Sequence, residues 1–498
     1  RVRSSAASDV YKRQDSGLRH LHCGGWLPRR AAPLHHLQSV IPTGLSPPAG
    51  TAWEAVPFPL HSSLPIEIDC KPSCILSKTC ILLQNVEIYV PVWYTNTNLK
   101  GGGLMLIQRP DYLNFLIEWK EQQIIKVITG IRRCGKSTLF DLFHEHLLSC
   151  GISESQIISI NFEDARYENL CNYRELYEYV TSRMQPDKMN YIFLDEIQHV
   201  SQYEKAVDSL FIQKHADVYI TGSNAYFMSG ELATLLSGRY VELKMLPLSF
   251  AEYVSAFPST ANREDLYRNY VYNSSFPFTV NLQSRRNIYT YLDGLYNTVV
   301  LNDIVERKKV QDPAMLKSVI RFLFDNIGNT CSAKKIADAM TSAGRKISNH
   351  TVENYLEAIT DSLLMYRVSR FDIRGKAHLQ RQEKYYLSDV GLRYYLLGPQ
   401  NADHGHILEN VVFLELLRRG YRVYVGKIGN VEVDFIVQDY EGNTEYYQVA
   451  WSVREQSTLQ RELTPLDSIV DHNPKILLTM DVLDLKNRNG FSTVAVTD

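Results

Sequence analysis

Gly130-Ile131-Arg132-Arg133-Cys134-Gly135-Lys136-Ser137 fills the pattern G-x-x-x-x-G-K-[ST] without a mismatch. Such a segment states a chemistry: backbone N–H groups and a lysine for phosphates, a hydroxyl for magnesium. Chance yields a match in roughly 2 of 100 chains this long, so the flanks decide. Upstream, Ile124, Ile125, Val127 and Ile128 form the short apolar run that a buried parallel strand requires. Downstream, Leu139, Phe140, Phe143 and Leu147 are spaced 1, 3 and 4 apart, one apolar face of a helix. The glycines thus fall between a strand and a helix N-terminus, where the helix dipole reinforces the backbone donors. The expected nucleotide-binding residues are Gly130, Arg132, Arg133, Cys134, Gly135, Lys136, Ser137 and Thr138. Lys136 brings a full positive charge to the β- and γ-phosphates, and Ser137 is an expected magnesium ligand.

Hydrolysis needs a second, acidic motif at the end of another buried strand. Tyr191-Ile192-Phe193-Leu194-Asp195-Glu196 provides it, with Asp195 lying 59 residues after Lys136. Asp195 is the expected magnesium anchor and Glu196 the residue that orients and polarises the attacking water. Asp217-Val218-Tyr219-Ile220-Thr221-Gly222-Ser223-Asn224 reads as a further strand, expected between the first two in the sheet. Asn224, or Ser223 beside it, is the expected sensor of the γ-phosphate. Arg239 precedes one more strand and is the expected arginine finger, in cis or from a neighbouring copy; a plain surface arginine fits the same residue. Ile157 to Phe162 completes five strands alternating with helices, hence a parallel sheet covered on both faces.

The loop with its two arginines, Asn161-Phe162-Glu163-Asp164, Phe193-Leu194-Asp195-Glu196-Ile197-Gln198, Thr221-Gly222-Ser223, Leu236-Ser237-Gly238-Arg239 and Leu246-Pro247-Leu248-Ser249-Phe250-Ala251-Glu252 together resemble an abundant group of prokaryotic AAA-type ATPases. These carry a C-terminal domain of unknown function. The resemblance covers about 105–498. It implies an AAA/ASCE-type P-loop NTPase and puts ATP ahead of GTP, and no guanine-reading N-K-x-D appears in this region.

The remaining chain divides by pattern. Over 259–308, Tyr267, Tyr270, Ile288, Tyr291, Leu292 and Leu295 are spaced to bury one helical face, the expected lid. Over 309–395 a winged helix-turn-helix is expected, with Ser332 capping its second helix and a third helix running from about Asn349. Two strand-like stretches follow, and Arg367, Arg370, Arg374, Lys376, Arg381 and Lys384 crowd into 18 residues there. This basic wing suits DNA phosphates, whereas Glu353, Glu357 and Asp361 on the third helix do not. Over 396–498, Glu409 on a helix, Asp434 on a strand and Gln448-Val449-Ala450 on the next resemble the PD-(D/E)XK nuclease core. The acid and lysine of its E-x-K element are replaced by Gln448 and Ala450, so a degenerate restriction-nuclease-like α/β domain without cleavage is expected.

Composition adds limits. The chain has 498 residues and a formal net charge of −2, so no global basic field draws it to nucleic acid. Eight scattered cysteines signal neither a zinc site nor a disulfide framework, and a cysteine within the phosphate loop favours a reducing, cytoplasmic setting. No apolar stretch reaches the roughly 18 residues of a membrane span. Residues 1–104 hold 10 of the 19 prolines and 5 of the 14 histidines, with 10 Lys+Arg against 6 Asp+Glu. Their opening resembles a translated adaptor, and 1–104 are expected to be non-native or a disordered leader. The reading that results is an ATP-hydrolysing, DNA-associated ATPase, with ATP and Mg2+ as cofactors and nucleotide state controlling how the C-terminal domains dock. A non-hydrolytic ATP switch on a protein partner, a homo-oligomer and an ATP-driven nuclease are the alternatives.

Overall fold

The computed structural model describes residues 106–223, 236, 238–375, 377–399, 403–481 and 492–496. The expected leader 1–104, Asn224, Lys376 and the side chain of Arg381 lie outside the described residues.

Five short apolar segments make the first sheet: β1 Ile125–Thr129, β2 Ile157–Asn161, β3 Asn190–Asp195, β4 Ala216–Gly222 and β5 Tyr240–Lys244. Their order is β2-β3-β4-β1-β5 and every neighbouring pair is parallel. β1 and β3 are buried along their whole length, which explains their largely apolar composition; the one charge inside β1, Lys126, is buried against Asp217 of β4. Helices α1 Pro110–Glu118, α2 Lys136–Ser149, α3 Tyr173–Thr181 and α4 Tyr203–Phe211 cover the two faces. On one face Phe140 and Phe143 of α2 pack against Phe193 and Tyr219. On the other, Leu176 and Val180 of α3 and Val207 and Leu210 of α4 pack against Ile125 and Ile192. The chain leaves β1 toward β2 on one side and later returns as β5 on the other. Beside β1 the connections therefore diverge, and ligands of open α/β sheets bind at the carboxyl end of such a point.

After β5 come α5 Phe250–Ser255, α6 Arg263–Asn273 and α7 Arg285–Thr298, which runs on into a π-helix, Val299–Glu306. Then follow α8 Pro313–Asp325, α9 Ala333–Ser342 and α10 Asn349–Asp361. Asp312, Ser332 and Ser348 cap these three helices through their side chains.

The second sheet departs from expectation. It has eight strands: β6 Thr330–Cys331, β7 Met365–Asp372, β8 Ala377–Leu387, β9 Arg422–Ile428, β10 Val431–Gln438, β11 Thr444–Ala450, β12 Lys475–Thr479 and β13 Ser492–Ala495. They are ordered β13-β12-β11-β10-β9-β7-β8-β6. α11 Val390–Leu397 and α12 His404–Arg418 join β8 to β9, and α13 Gln456–Asp467 joins β11 to β12. Strands from both sides of the boundary expected at 395/396 share this sheet. β7 pairs in parallel with β9 through Arg370↔Val425, Phe371↔Gly426 and Asp372↔Lys427, so the expected wing hairpin is built into one sheet with the C-terminal strands. Alternation along a strand reports which face is buried but not which partner its edge will find.

One apolar core runs from α1 and α2 through the lid helices to α12. Polar ties follow the same path. Asp389, the N-cap of α11, accepts from Leu392 N at 2.9 Å and from Ser275 N and Oγ at 2.6 and 2.7 Å. Asp389→Ala should remove the cap and leave buried donors of the lid unpaired, lowering stability by on the order of 3 kcal/mol in urea unfolding. An unchanged midpoint would show that the lid and α11 are not joined there.

Candidate nucleotide site at the carboxyl edge of the first sheet

β1 ends at Thr129 and the loop Gly130–Gly135 turns into α2. Two glycines are required sterically. A Cβ on Gly130 would stand 2.3 Å from the carbonyl oxygen of Met245, and Gly135 has φ +108°. Arg109 braces the loop from outside, donating to the carbonyl of Cys134 at 3.1 Å and to that of Leu246 at 2.9 Å. Its Nε pairs with Glu252 at 2.6 Å.

The expected residues meet at this edge. The buried Lys136 Nζ donates to the Gly130 carbonyl at 3.1 Å and lies 3.4 Å from Glu196 Oε1 and 3.4 Å from Ser223 Oγ. Glu196 follows β3 with φ 53° and ψ 45°, in the left-handed region that a non-glycine residue seldom occupies. The turn brings its carboxylate back over the sheet, where Ser223 Oγ and, at 2.5 Å, Gln198 Nε2 donate to it. Burial alone would raise the Glu196 pKa, but the Lys136 charge and these hydrogen bonds outweigh it and bring the value down to about 2. Asp195 accepts from Thr221 Oγ1 at 2.5 Å, from Asn161 Nδ2 at 2.9 Å and from the Ser137 hydroxyl. Burial pushes its carboxyl above the ordinary range, against the pull of the Ser137 and Thr221 bonds. β4 carries Thr221 because it lies between β1 and β3.

A cleft of about 720 Å³ opens over these groups. Its polar end holds Arg132, Arg133, Lys136, Ser137, Thr138 and Glu196; its apolar end holds Ile107, Leu248, Pro277, Phe278, Tyr291 and Leu295. A phosphate chain with magnesium fits the polar end, where Ser137, bonded to Asp195, offers oxygen ligands. A flat, apolar nucleobase fits the other. The segment after β5 supplies part of the cleft: the Phe278 and Tyr291 rings meet at a tilt with 5.0 Å between ring centres, and the buried Tyr291 hydroxyl has no hydrogen-bond partner.

Two expected site residues are elsewhere. Cys134 turns its thiol into the core, where burial raises its pKa, and only its backbone faces the loop. Arg239 sits at the opposite end of the sheet. It precedes β5, its carbonyl accepts from Ile125 N at 2.8 Å, and its guanidinium pairs with Asp208 of α4. Five strand residues, about 16 Å, separate it from the phosphate loop. A role for Arg239 in cis is corrected accordingly. Arg109 and Phe278 carry no motif, so spacing along the chain did not single them out; Thr221 and Tyr291 stood in a strand motif and on the lid face, without a role at the site.

The second sheet gathers another charged cluster. Lys384 of β8 pairs with Glu409 of α12 at 2.8 Å and with Glu432 of β10 at 2.8 Å, and Tyr386 donates to Glu409 at 2.5 Å. Burial works against the Lys384 charge, but Glu409, Asp434 and Glu432 outweigh it and hold the ammonium above the ordinary lysine range. Gln448 donates to Glu462 at 3.1 Å, and Val449 N donates to Asp434 at 2.9 Å. Thus a lysine does reach the nuclease-like centre, but from the hairpin. Among the described residues no group of three or more His, Cys, Asp or Glu side chains is placed to hold a metal ion. The basic wing shrinks as a result: Lys384 is buried here, and the buried Arg370 bonds Gln382 at 2.9 Å and Glu432 at 3.4 Å. Lys384→Met should strand Glu409 without its counter-charge and cost about 3–5 kcal/mol, read as a lowered unfolding midpoint. Adding Glu409→Gln should return part of the loss; a full loss in the double variant would sink the pairing.

Residues 122–254 match the family model described as AAA domain, and 264–403 match Domain of unknown function (DUF8612). An uncharacterized protein of Haemophilus influenzae is 39% identical over 397 residues, covering 79% of this chain and 98% of that protein. An uncharacterized protein of Methanocaldococcus jannaschii is 31% identical over 398 residues, covering 75% and 85% respectively. Among solved structures, the Walker-type ATPase of Pyrococcus abyssi is similar at a TM-score of 0.42 and 14% identity, covering 58% of this chain and 95% of that one. The Aeropyrum pernix ORC1 protein in complex with DNA is similar at a TM-score of 0.30 and 12% identity, covering 64% and 95%.

Proposed function

Because this chain belongs to the AAA-domain family of these curated relatives, with its C-terminal domain of unknown function, we propose that it binds ATP with magnesium over Lys136 and hydrolyses it to ADP and phosphate. One observation carries the reading: Lys136, Glu196, Ser223, Asp195 and Ser137 converge at the carboxyl ends of β1, β3 and β4. The loop N–H groups and Lys136 hold the β- and γ-phosphates. Ser137 and Asp195 would hold magnesium, which would neutralise charge on the phosphates. Glu196 stays ionised at neutral pH and so acts as a pure acceptor for a proton of the attacking water. Before nucleotide arrives, its carboxylate is occupied by Lys136; phosphates compete for the ammonium and release Glu196 toward water. Ser223 stays bonded to Glu196 and links it to the end of β4. Arg239 is left as a surface arginine paired with Asp208 or as a finger offered to a second copy.

Nucleotide state then controls how the C-terminal part docks on its target. The support is continuity: α7 lines the cleft, runs through the π-helix and leads to α8 in a shared core. DNA is the first target considered, through Arg374, Lys334 and Lys346, all exposed on the hairpin turn and around α9 and α10. Loss of Arg370 and Lys384 to buried pairs favours the second reading, docking on a protein.

Lys136→Ala should abolish nucleotide binding. Glu196→Gln should keep ATP binding and lower turnover by roughly 10²–10⁴-fold, measured as phosphate release. Wild-type turnover in both variants would refute the site. For the target, fluorescence anisotropy with labelled duplex DNA between 50 and 200 mM salt, on the order of the range where phosphate contacts dominate, separates the two readings. If DNA is bound, Arg374→Ala should reduce the salt slope by about one. Salt-insensitive or absent binding favours the protein partner.

A further inference from the structure

One buried acid faces the phosphate loop from the lid. Asp303 lies in the π-helix Val299–Glu306, and its side chain is only 4% exposed. Its Oδ2 has no hydrogen-bond partner. Opposite stands Arg132, the third residue of the loop. Its Nε is also buried and without a hydrogen-bond partner, 3.7 Å from Asp303 Oδ2. The other side of the guanidinium is engaged, with Nη1 donating to Glu163 Oε1 at 2.8 Å just beyond β2. Arg132 is therefore suspended between a carboxylate of the first sheet and a carboxylate of the lid.

A donor and an acceptor left unpaired in a buried site each give up hydration with nothing in return. A purely structural ion pair would close the gap, as Lys384 and Glu409 do at 2.8 Å. Buried unsatisfied groups in native proteins concentrate where a ligand or a second state completes them. The backbone agrees: π-helical turns are rare and recur at functional sites. Arg132 lines the polar end of the cleft beside Lys136, so its guanidinium is within the phosphate-binding region. Burial raises the Asp303 carboxyl above its ordinary range, against the pull of Arg132 and then Arg307.

We propose that Asp303 is a positioning residue: with Glu163 it aims Arg132 at the terminal phosphate of a nucleoside triphosphate. Asp303 itself does not touch the nucleotide. It acts through Arg132, whose planar fork suits phosphate oxygens. The consequence is discrimination between triphosphate and diphosphate, made by a pair that spans the loop and the lid. When the third phosphate is present, Arg132 is drawn to it and the contact with Asp303 is redrawn, so the π-helix registers hydrolysis. This inference rests on reading the cleft as a nucleoside triphosphate site.

The test uses the full chain with magnesium and compares wild type, Asp303→Ala, Asp303→Asn, Arg132→Ala and the double alanine variant. Dissociation constants are measured for ADP and for a non-hydrolysable ATP analogue, with thermal unfolding alongside. Asp303→Ala should weaken the triphosphate by about tenfold and ADP by less than about twofold. Arg132→Ala should do the same, and the double variant should be no weaker than Arg132→Ala alone, because one interaction has been removed twice. Asp303→Asn keeps the volume and guards against a packing defect; it should shift the triphosphate in the same direction with an unchanged unfolding temperature. Equal losses for ADP and triphosphate, or additive losses in the double variant, would overturn the proposal. If wild type binds neither nucleotide, the site reading falls first and this one with it.

Discussion

A buried ammonium organises this protein. Lys136 lies at the start of α2 with its side chain 3% exposed, and an ion so placed must be answered by charge or by oriented dipoles. The Gly130 carbonyl and Glu196 answer it here. Meeting that demand fixes much else. Glu196 must turn left-handed to reach the lysine, Ser223 and Gln198 must hold the turned carboxylate, and Thr221 must tie the Glu196 backbone to Asp195. These residues come from the ends of β3 and β4, which flank or follow β1 only because the sheet is parallel in the order β2-β3-β4-β1-β5. The arrangement is a polarised network in a low-dielectric pocket, where each bond strengthens its neighbour and removing one exposes the rest.

The same logic explains what was legible in the sequence. Gly130–Ser137 and Asp195-Glu196 are local signals, because strand, turn and helix each need a fixed residue type at a fixed offset. The position of β4 between β1 and β3 was also readable, since it follows from the general build of such sheets. Which end of the sheet holds Arg239 was not legible: it follows the sensor strand in sequence, and only the parallel register Ile125↔Tyr240 puts it at the amino edge. Arg109 and Asp303 were not singled out because their partners, Glu252 and Arg132, lie 143 and 171 positions away in the chain. No periodicity encodes a pairing across that distance.

The C-terminal part shows the limit of motif reading more sharply. Gln448 and Ala450 were read as loss of the acid and lysine of a nuclease centre, and their positions on β11 do lack both. Yet Lys384 enters the same centre from β8, a strand expected to belong to a separate wing. A charge can be supplied by any strand whose register brings it near, so a missing residue in a motif does not establish a missing group in space.

What Lys384 does there is different from what a nucleophile-assisting lysine would do. Its ammonium is saturated by Glu409 and Glu432, each at 2.8 Å, and Arg370 bonds the second of them. A divalent ion would have to displace an internal cation that cannot diffuse away, and desolvation has already been met by the pair. The cluster joins β8, β10 and α12 at the point where the hairpin and the C-terminal strands become one sheet. α12 in turn touches the ATPase side, where Arg418 donates to the Pro247 carbonyl at 2.9 Å beyond β5. The second sheet and the segment that follows β5 are thus tied to each other through α12. The residues that resemble a cleavage centre hold that sheet together.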